Sequence, residues 1–433
     1  MILLARIADC DRRGPDPHME LPVPSADTSY PLNKITVTLL EGVHARAAES
    51  LQSQGYTVET FRDAPTGKAL RDIVQECHIL GIRSRTQITE EMLDAAPRLW
   101  AIGCFCIGTN QVDLGAAADR GIAVFNAPFA NTRSVAEVTI AEIVALHRRL
   151  FDRSAALHGG RWKKSASGAH EVRGRTLGIV GYGRIGSQVS VLAEAIGMRV
   201  THFDVSDVLS LGNASAASSL DDLLRESDVV SLHVPESSRT SGLIGARELA
   251  LMKPGAMLIN NARGSVVDLD ALADALREGR LGGAAVDVFP TEPVENDAEF
   301  SCPLAGLENV ILTPHIGGST IEAQRSIADD VSSKLARFMN NGSTITAVNM
   351  PEVDLPVLHP KQDRILHYHR NVPGVLGKIN SAIAETGVNI SAEYLQSNAR
   401  HSYVIVDVDA GQDLAIRDRL REIPETIRVR TIR

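Results

Sequence analysis

The stretch TLGIVGYGRIGSQVSVLAEAIG, residues 176–197, decides the fold. An apolar run typical of a strand leads into Gly181-x-Gly183-x-x-Gly186, and a run with helical periodicity follows it. The first glycine permits a tight turn, the second lets a pyrophosphate approach the backbone, and the third lets the helix pack against the strand. The free N–H groups at the start of that helix favour an anion. The stretch therefore predicts a dinucleotide-binding βαβ unit.

The acidic residue after the next predicted strand narrows the choice of dinucleotide. The strand RVTHFD ends at Asp204. A carboxylate at this position accepts hydrogen bonds from ribose hydroxyls and repels a 2′-phosphate, which favours NAD over NADP. The alternative is that Asp204 only caps the end of the strand.

Strand-like and helix-like runs alternate on both sides of this stretch. Before it, runs such as KITVTLL, HILGIR and GIAVFNA are separated by helical segments, the last of which is TRSVAEVTIAEIVALHRRLF. After it come RVTHFD, DVVSLHV, AMLINNA, GAAVDVF and VIL, again with helical segments between them. Runs this apolar are typical of strands in a sheet that is covered on both faces. The pattern predicts two parallel α/β units, each similar to a Rossmann domain.

The remaining segments follow other patterns. Residues 362–433 run in the order strand, helix, strand, strand, helix, strand, which predicts a ferredoxin-like βαββαβ sandwich. The Pro-rich residues 351–361 are typical of a linker. Residues 1–33 are rich in Pro, Ser, Asp and Arg and lack periodicity, which predicts a flexible leader.

Composition limits the classes of partner. The chain has 433 residues, 44% of them hydrophobic, and a formal net charge of -9. A mildly acidic protein has no electrostatic reason to bind nucleic acid or an anionic membrane, and no apolar run reaches spanning length. The five cysteines follow neither a zinc pattern nor a disulfide framework. We therefore expect reduced thiols, a cytoplasmic location and no metal site.

Three polar side chains follow strands of the second unit, at the edge where an open parallel sheet binds its ligands. Arg263 follows AMLINNA, Glu292 lies in VDVFPTEP, and His315 follows VILTP. An arginine holds a carboxylate through paired donors, and a histidine passes a proton near neutral pH while a neighbouring carboxylate orients it. Each residue alone reads as an ordinary loop residue. Their shared edge predicts hydride transfer at an alcohol carbon beside a carboxylate.

These motifs carry a family resemblance. GYGRIG, NNARGSVVD, DVFPTEP and TPHIGGST resemble the D-isomer-specific 2-hydroxyacid dehydrogenases. RSRTQIT, GCFCIGTNQVDL and NAPFANTRSVAE are similar to the branch that oxidises D-3-phosphoglycerate in L-serine biosynthesis and carries a C-terminal ACT domain. The resemblance covers nearly the whole chain from about residue 34.

The resemblance implies how the domains are arranged. One domain interrupts the other, so a flavodoxin-like substrate domain comprises residues 34–130 and 318–350, and the NAD-binding domain comprises residues 131–317. Residues 351–361 are the linker and residues 362–433 the ACT regulatory domain. The active site is expected in the cleft between the first two domains.

The resemblance also implies roles for individual residues. Arg263 is the arginine for the substrate carboxylate, Glu292 the partner of the histidine, and His315 the acid–base group. The substrate is expected to contact Arg83, Ser84, Arg85 and Asn131, with phosphate on the two arginines, although an exposed basic turn is the plain alternative. The expected NAD contacts are Gly181, Gly183, Arg184, Ile185, Gly186, Asp204, Asn261, Ala262, Arg263, Asp287, His315, Ile316, Gly317 and Gly318.

The ACT resemblance implies L-serine as an effector, bound by His369, Asn371 and Asn389 at the interface of a homo-oligomer, a tetramer or a dimer. The alternative is that His369 and Asn371 only stabilise a Pro-Gly turn. The linker contains VLHPKQD without the pair of glycines that the resembling enzymes often have there, so serine binding and inhibition are separate expectations.

Two other functions stay open. One is oxidation or reduction of a different 2-hydroxy acid or its oxo acid, such as glycerate, glyoxylate, lactate or 2-oxoglutarate, with 2-oxoglutarate also possible as a second substrate. The other is a binding protein that senses the dinucleotide without turnover. The set of Arg263, Glu292 and His315 argues against pure binding, and a turnover assay discriminates between them.

Overall fold

The computed structural model describes residues 30–293, 297–411 and 413–433. Most of the predicted leader, residues 1–29, lies outside the described residues. Its last residues are packed on the first unit. The ring of Tyr30 lies 5.9 Å from that of His78, and residues Leu32–Lys34 form a short 3-10 helix.

The first unit is a parallel five-stranded sheet, and its helices are α1 (Ala45–Ser53), α2 (Gly67–Glu76), α3 (Glu90–Asp94) and α4 (Leu114–Asp119). Its strands are β1 (Thr36–Leu39), β2 (Thr57–Thr60), β3 (Ile79–Ile82), β4 (Ala101–Cys104) and β5 (Ala123–Asn126). The strand order β2-β1-β3-β4-β5 is the flavodoxin-like order that we predicted. Strands β3, β4 and β5 are buried along their whole length, as expected for a sheet covered on both faces.

The segment predicted as one long helix at residues 132–151 is two helices. They are α5 (Thr132–Arg148) and α6 (Leu150–His158). Arg149 between them adopts φ 50°, the left-handed conformation that commonly ends a helix. The single-helix prediction was wrong because apolar periodicity continues through the break and gives no sign of it. Helix α5 packs on the second sheet, and α6 carries an exposed apolar face.

The second unit is a parallel seven-stranded sheet. Its order β12-β11-β10-β9-β6-β7-β8 is the Rossmann order extended by one strand. The strands are β6 (Thr176–Val180), β7 (Arg199–Phe203), β8 (Ser215–Ala216), β9 (Val229–Leu232), β10 (Met257–Asn260), β11 (Gly283–Val286) and β12 (Val310–Leu312). Its helices are α7 (Arg184–Ala195), α8 (Leu220–Glu226), α9 (Ala246–Leu251) and α10 (Leu269–Arg277). The short strand β8 was not predicted.

After β12 the chain returns to the first unit through helix α11 (Ile321–Asn341). Ile327, Val331 and Leu335 of this helix are buried in one apolar cluster with Val37 and Phe105. Glycine at position 103 of β4 permits this close packing, because a Cβ there would lie 2.7 Å from Val331 Cγ1.

The C-terminal segment is the predicted βαββαβ unit. It comprises β13 (Gln362–Arg370), α12 (Val375–Ala384), β14 (Ile390–Ser397), β15 (His401–Asp409), α13 (Asp413–Arg421) and β16 (Thr426–Ile432). Its antiparallel sheet has the order β14-β15-β13-β16, with both helices on one face. The other face, through Leu366, Tyr403 and Ile405, shares the apolar cluster of the first unit.

The structure thus confirms the predicted fold class, with two parallel sheets and a separate ferredoxin-like unit. Within the described ranges, we find no helix with both the length and the apolar character needed to cross a membrane.

Candidate active site

The glycine turn between β6 and α7 has the geometry that the motif predicts. Gly181 adopts φ 91°, and a Cβ there would lie 2.6 Å from the carbonyl oxygen of His233. A Cβ on Gly186 would lie 2.2 Å from Gly181 O, so the helix could not pack there with a larger residue. A Cβ on Gly183 would meet nothing within 4 Å, which leaves the start of α7 open to a ligand.

Asp204 lies directly after β7 and holds this turn. Its Oδ2 accepts a hydrogen bond of 2.8 Å from Tyr182 N, between the first two glycines, and its Oδ1 accepts one of 2.9 Å from Ser206 N. Each carboxylate oxygen has a second lone pair, so both remain able to accept from a ribose hydroxyl. The residues of this turn fit a dinucleotide.

His315 follows β12 and lies in a strained loop. Its backbone adopts φ 53°, which is uncommon for a residue with a side chain. Asp287 stabilises this conformation, because its carbonyl accepts from His315 N at 2.8 Å and its carboxylate accepts from Ile316 N and Gly317 N, both at 2.8 Å. The Thr313 hydroxyl adds a third bond to that carboxylate at 2.6 Å. The carboxylate of Asp287 therefore positions the loop.

The side chains of His315 and Glu292 form a pair, with Nδ1 2.8 Å from Oε2. An ionised carboxylate only accepts, so Nδ1–H donates and the lone pair of the imidazole is on Nε2. The hydrogen bond that His315 donates to Glu292 raises the pKa of His315 against the opposing effect of burial. Burial would raise the pKa of Glu292, but hydrogen bonds from His315 and from Phe289 N lower it below its usual range. The pair is poised to hold or accept a proton at Nε2.

Arg263 follows β10 on a loop fixed by Asn260. The side chain of Asn260 accepts from Ala262 N and donates to Arg263 O, at 3.1 and 3.0 Å. Gly264 lets this loop contact the end of β11, because a Cβ there would lie 1.9 Å from the carbonyl carbon of Phe289. The positive charge of Arg263 lowers the pKa of both Glu292 and His315, so the guanidinium acts electrostatically on the pair.

The loop that carries Arg83 and Arg85 is built around a residue that sequence reasoning missed. The carboxylate of Glu41 is buried after β1 and accepts from Arg83 N, Arg85 N and Thr86 N at 3.0, 3.0 and 2.9 Å. Burial would raise the pKa of Glu41, but these backbone hydrogen bonds lower it below its usual range. Ser84 is exposed between the two arginines. The signal was an acid directly after the apolar run TVTLL, at the ligand-binding edge of a parallel sheet.

Gln111 and Cys106 connect two loops of the first unit and were also missed. The side chain of Gln111 donates to Arg83 O at 2.6 Å and to Cys106 Sγ at 3.3 Å. Burial raises the pKa of the Cys106 thiol to about 11, and the charges of Arg83 and Arg263 oppose this effect. The charges of Arg83, from the first unit, and of Arg263, from the second, thus act on the same thiol.

Buried amides line the crossing between the two units. Asn131 is buried before α5, and a Cβ on Gly318 would lie 2.1 Å from its Nδ2. Asn261 Nδ2 donates to Glu142 Oε2 at 2.7 Å. Burial raises the pKa of Glu142 to about 7. Oδ1 of Asn131 and Oδ1 of Asn261 are buried and have no hydrogen-bond partner among the described residues, so each amide keeps an unused acceptor.

The other predicted contacts lie along the same edge of the second sheet. Arg184 begins α7, and its guanidinium lies 4.0 Å over the ring of Phe129 from the first unit. Ile185 is half-buried, Ala262 is buried, and Ile316 is half-exposed beside His315. No group of three or more histidine, cysteine or acidic side chains in the described ranges is placed to hold a metal ion.

The three predicted effector residues do not meet within one chain. His369 is buried at the end of β13, and Asn371 Nδ2 donates to Asn398 O at 2.8 Å near the same end of the sheet. Asn389 is exposed before β14, at the other end. His369 pairs with Ser402 of β15 and Ile390 pairs with Val408, so the two ends lie about 20 Å apart at 3.3 Å per residue.

Comparison with known proteins identifies the family. Residues 140–317 match the NAD-binding domain of the D-isomer specific 2-hydroxyacid dehydrogenases, and residues 365–428 match an ACT domain like that of the AHAS small subunit. D-3-phosphoglycerate dehydrogenase of Escherichia coli strain K12 is 52% identical over 94% of this chain and 100% of its own length. The chain belongs to the D-3-phosphoglycerate dehydrogenase family.

Other D-3-phosphoglycerate dehydrogenases are similar to this chain over nearly their whole length. The enzyme of Haemophilus influenzae is 51% identical over 92% of this chain and 98% of its own length, and that of Dictyostelium discoideum is 47% identical over 94% and 99%. Among solved structures, D-lactate dehydrogenase of Aquifex aeolicus with NAD and lactic acid superposes with a TM-score of 0.64 at 30% identity, covering 73% of this chain and 100% of that one. The chain is therefore an NAD-dependent oxidoreductase, as the sequence motifs predicted.

Proposed function

We propose that the protein oxidises D-3-phosphoglycerate to 3-phosphohydroxypyruvate with NAD, the first step of L-serine biosynthesis. The observation that carries the proposal is the His315–Glu292 pair, 2.8 Å from Nδ1 to Oε2, beside Arg263 at the ligand-binding edge of the NAD-binding sheet. The curated relatives named D-3-phosphoglycerate dehydrogenase support the choice of substrate, since the chain spans all or nearly all of their length.

The reaction assigns a role to each group. Arg263 binds the substrate carboxylate and so orients the neighbouring C2 carbon. His315 takes the hydroxyl proton at Nε2, while Glu292 holds the ring through Nδ1 and stabilises the imidazolium. Bound NAD supplies the hydride acceptor. The turn at Gly181, the open backbone at Gly183 and the carboxylate of Asp204 would hold that cofactor.

Arg83 and Arg85 are proposed to bind the substrate phosphate. Neither guanidinium has a short ion pair among the described residues, and the nearest carboxylate oxygen to Arg85 Nε is that of Glu41 at 3.6 Å. The backbone of the loop is fixed by Glu41, so the arginines project from an ordered support. Asn131 is proposed to contribute from the domain crossing, where its Oδ1 has no partner among the described residues.

The deciding experiment is NADH formation with D-3-phosphoglycerate, D-glycerate and D-lactate side by side. The phosphorylated substrate should have the highest kcat/KM, and Arg83→Gln with Arg85→Gln should lower its value without changing that of D-glycerate. Reduction of 2-oxoglutarate belongs in the same assay, because its second carboxylate suits the same arginine pair. Equal turnover of all three hydroxy acids would contradict the phosphate assignment, and NAD binding without turnover would favour a binding protein.

L-serine is proposed as an effector at an interface between two copies of the C-terminal unit. His369 and Asn371 lie at one end of its sheet and Asn389 at the other, so one chain alone does not assemble the three. A second copy side by side brings one chain's Asn389 toward the other chain's His369. Calorimetry with L-serine tests binding, and activity against serine concentration tests inhibition separately.

We propose that the protein is a homo-oligomer, either a tetramer or a dimer. Besides the separated effector residues, a second observation supports this proposal. The second unit exposes a group of large apolar side chains, Leu150, Phe151, Leu157 and Trp162, the last of them 81% exposed. Apolar patches of this kind mark protein interfaces. Sedimentation of the intact chain measures the number of subunits. We also propose a cytoplasmic location, which agrees with the four free thiols among the described cysteines. The domain bounds given from sequence are proposed unchanged.

A further inference from the structure

A polar cleft of about 470 Å³ lies at the edge of the contact between the first unit and the ACT unit, and none of its lining residues belongs to the candidate active site. One wall comes from the segments around α3 and the end of α4, with Asp94, Asp119 and Arg120. The other wall comes from the ACT sheet, with Arg370 and Arg428. A volume of this size suits a small metabolite.

The two ACT arginines have no acidic partner among the described residues. Arg428 is half-buried, stacks 4.3 Å over the Trp100 ring and donates through Nη1 to Leu99 O at 2.7 Å. Burial, with a smaller effect from the charge of Arg430, lowers the pKa of Arg428 to about 10. Arg370 projects from the next strand as an exposed guanidinium without an ion pair in the described ranges. A half-buried cation without an ion pair, such as Arg428, is expected to have a counter-anion.

The carboxylates in the cleft do not supply that anion, because both are already paired. Asp94 bonds Arg120 on the same wall, and Glu90 bonds the same guanidinium at 3.1 Å. Asp119 accepts two bonds from Arg400, at 2.9 and 2.8 Å, and lies 2.9 Å from His401 Nε2.

A further donor lies next to the cleft. Tyr368 is the cross-strand partner of Arg428, and its buried hydroxyl has no hydrogen-bond partner among the described residues. Tyr368 and Arg428 pack closely on Gly121 of the first unit, where a Cβ would lie 3.2 Å from each side chain. The cleft wall is therefore built by both units.

We propose that this cleft binds a small organic anion through a phosphate or carboxylate group, with Arg370 and Arg428 as its principal donors. Both groups match the paired N–H donors of a guanidinium. The cleft is larger than one inorganic oxyanion, so it has room for an organic anion that carries further polar atoms. The ligand contacts both units and thereby ties the ACT unit to the first unit.

Calorimetric titration of the intact protein with inorganic phosphate and with citrate tests the proposal. The background is Arg83→Gln with Arg85→Gln, which removes the phosphate donors proposed at the active site. Phosphate binding alone indicates a phosphorylated ligand, and citrate binding indicates a carboxylate ligand. In either case Arg370→Gln should raise the Kd at least tenfold, as expected for loss of a charge-assisted hydrogen bond.

The matched control is Arg199→Gln, another exposed arginine without an ion pair in the described ranges, on the far unit. It should leave the Kd unchanged. Arg370→Gln is the main variant because Arg428 also holds the two units together. Absence of phosphate and citrate binding at millimolar concentration would overturn the proposal. So would binding that Arg370→Gln and Arg199→Gln affect equally.

Discussion

Replacement of Glu41 by glutamine tests whether a buried carboxylate sets the substrate loop. Glu41 itself adopts φ 60°, and its side chain is 1% exposed. It accepts three backbone N–H bonds from the segment that carries Arg83 and Arg85. Glutamine has the same shape, but one of its two terminal atoms is a donor. The change therefore removes acceptor capacity without opening a cavity.

The expected size of the effect follows from these bonds. Glu41 Oε1 accepts from Arg83 N and Thr86 N, and an amide oxygen can keep both. The amide nitrogen of the glutamine then faces Arg85 N, so two donors meet and Arg85 N loses its hydrogen bond to Oε2. A hydrogen bond to a charged group contributes about 1.5–3 kcal/mol. The 3.6 Å contact with the half-exposed Arg85 side chain adds at most about 1 kcal/mol.

A loss of about 1.5–3 kcal/mol corresponds to roughly 10–150-fold. We expect the KM for D-3-phosphoglycerate to rise by this factor, because the loop contributes to substrate binding in both the ground state and the transition state. The kcat and the KM for NAD should change little, since the hydrogen bonds of the Glu41 carboxylate go to the backbone of residues 83–86 and not to His315 or the glycine turn. Steady-state NADH formation gives all three values.

Glu59→Gln is the matched control, because Glu59 is an exposed acid on β2 of the same sheet without a described ion pair. It should leave the KM for D-3-phosphoglycerate unchanged. If folded Glu41→Gln protein keeps the wild-type KM, Glu41 does not position the loop. If kcat and both KM values change together, the effect is a general distortion of the first unit.

Four further predictions concern the second unit. His315→Asn should lower kcat by about 10²–10⁴-fold, because the proton acceptor is lost, while NAD affinity by fluorescence titration stays unchanged. Glu292→Gln should move the ascending limb of the kcat/KM pH profile to lower pH, because Glu292 raises the pKa of His315 and oxidation needs the neutral ring. Asp204→Ala should weaken NAD binding and allow measurable NADP turnover, and wild-type protein that uses both cofactors equally would refute the discriminating role. The pKa of Glu142 is about 7 when folded and lower when unfolded, so its contribution to stability falls as pH rises from about 4.5 to 7. Glu142→Gln should remove this part of the pH dependence of the free energy of unfolding, measured by chemical denaturation. An unchanged slope of that free energy against pH between about 4.5 and 7 would contradict the prediction.

The parts of the site that sequence predicted depend on local pattern. The turn at Gly181 and Gly183 lies between a strand and a helix, and a short motif fixes all three elements together. Arg263 and His315 were found because each follows an apolar strand, and parallel strands end at one edge of the sheet. Alternation of short, continuous apolar runs with segments of period 3.6 also sufficed for the fold class.

The parts that sequence did not predict depend on contacts distant along the chain. Glu41 bonds the backbone of residues 42 to 45 positions away, and no periodicity marks that contact. Asp287 was expected to contact NAD, and no sequence pattern marked its further role, in which its carboxylate accepts from the backbone of the His315 loop. The break at Arg149 lies in an unbroken apolar pattern, so only the backbone conformation reveals it.

The position of the ACT unit changes the argument about serine inhibition. A linker without paired glycines suggested weak transmission, because a stiff connection between separate bodies limits their relative motion. The described linker is not a free tether, since Val353 and Leu355 are buried in the apolar cluster of the first unit. Buried Arg364 of the ACT unit pairs with Asp407 and also donates to Asn341 O at the end of α11, at 3.1 Å.

The effect of serine binding can therefore reach the first unit through the direct contact with the ACT sheet as well as along the linker. The ACT sheet packs directly on the unit that carries Arg83 and Arg85, and Arg430 donates to the carbonyls of Phe338 and Met339 in the last turn of α11. A rearrangement of paired ACT sheets on serine binding would act on α11 through this face. Arg430→Met keeps an apolar contact but removes those bonds. It should leave serine affinity by calorimetry unchanged and reduce the maximal inhibition, whereas unchanged inhibition would assign transmission to another contact.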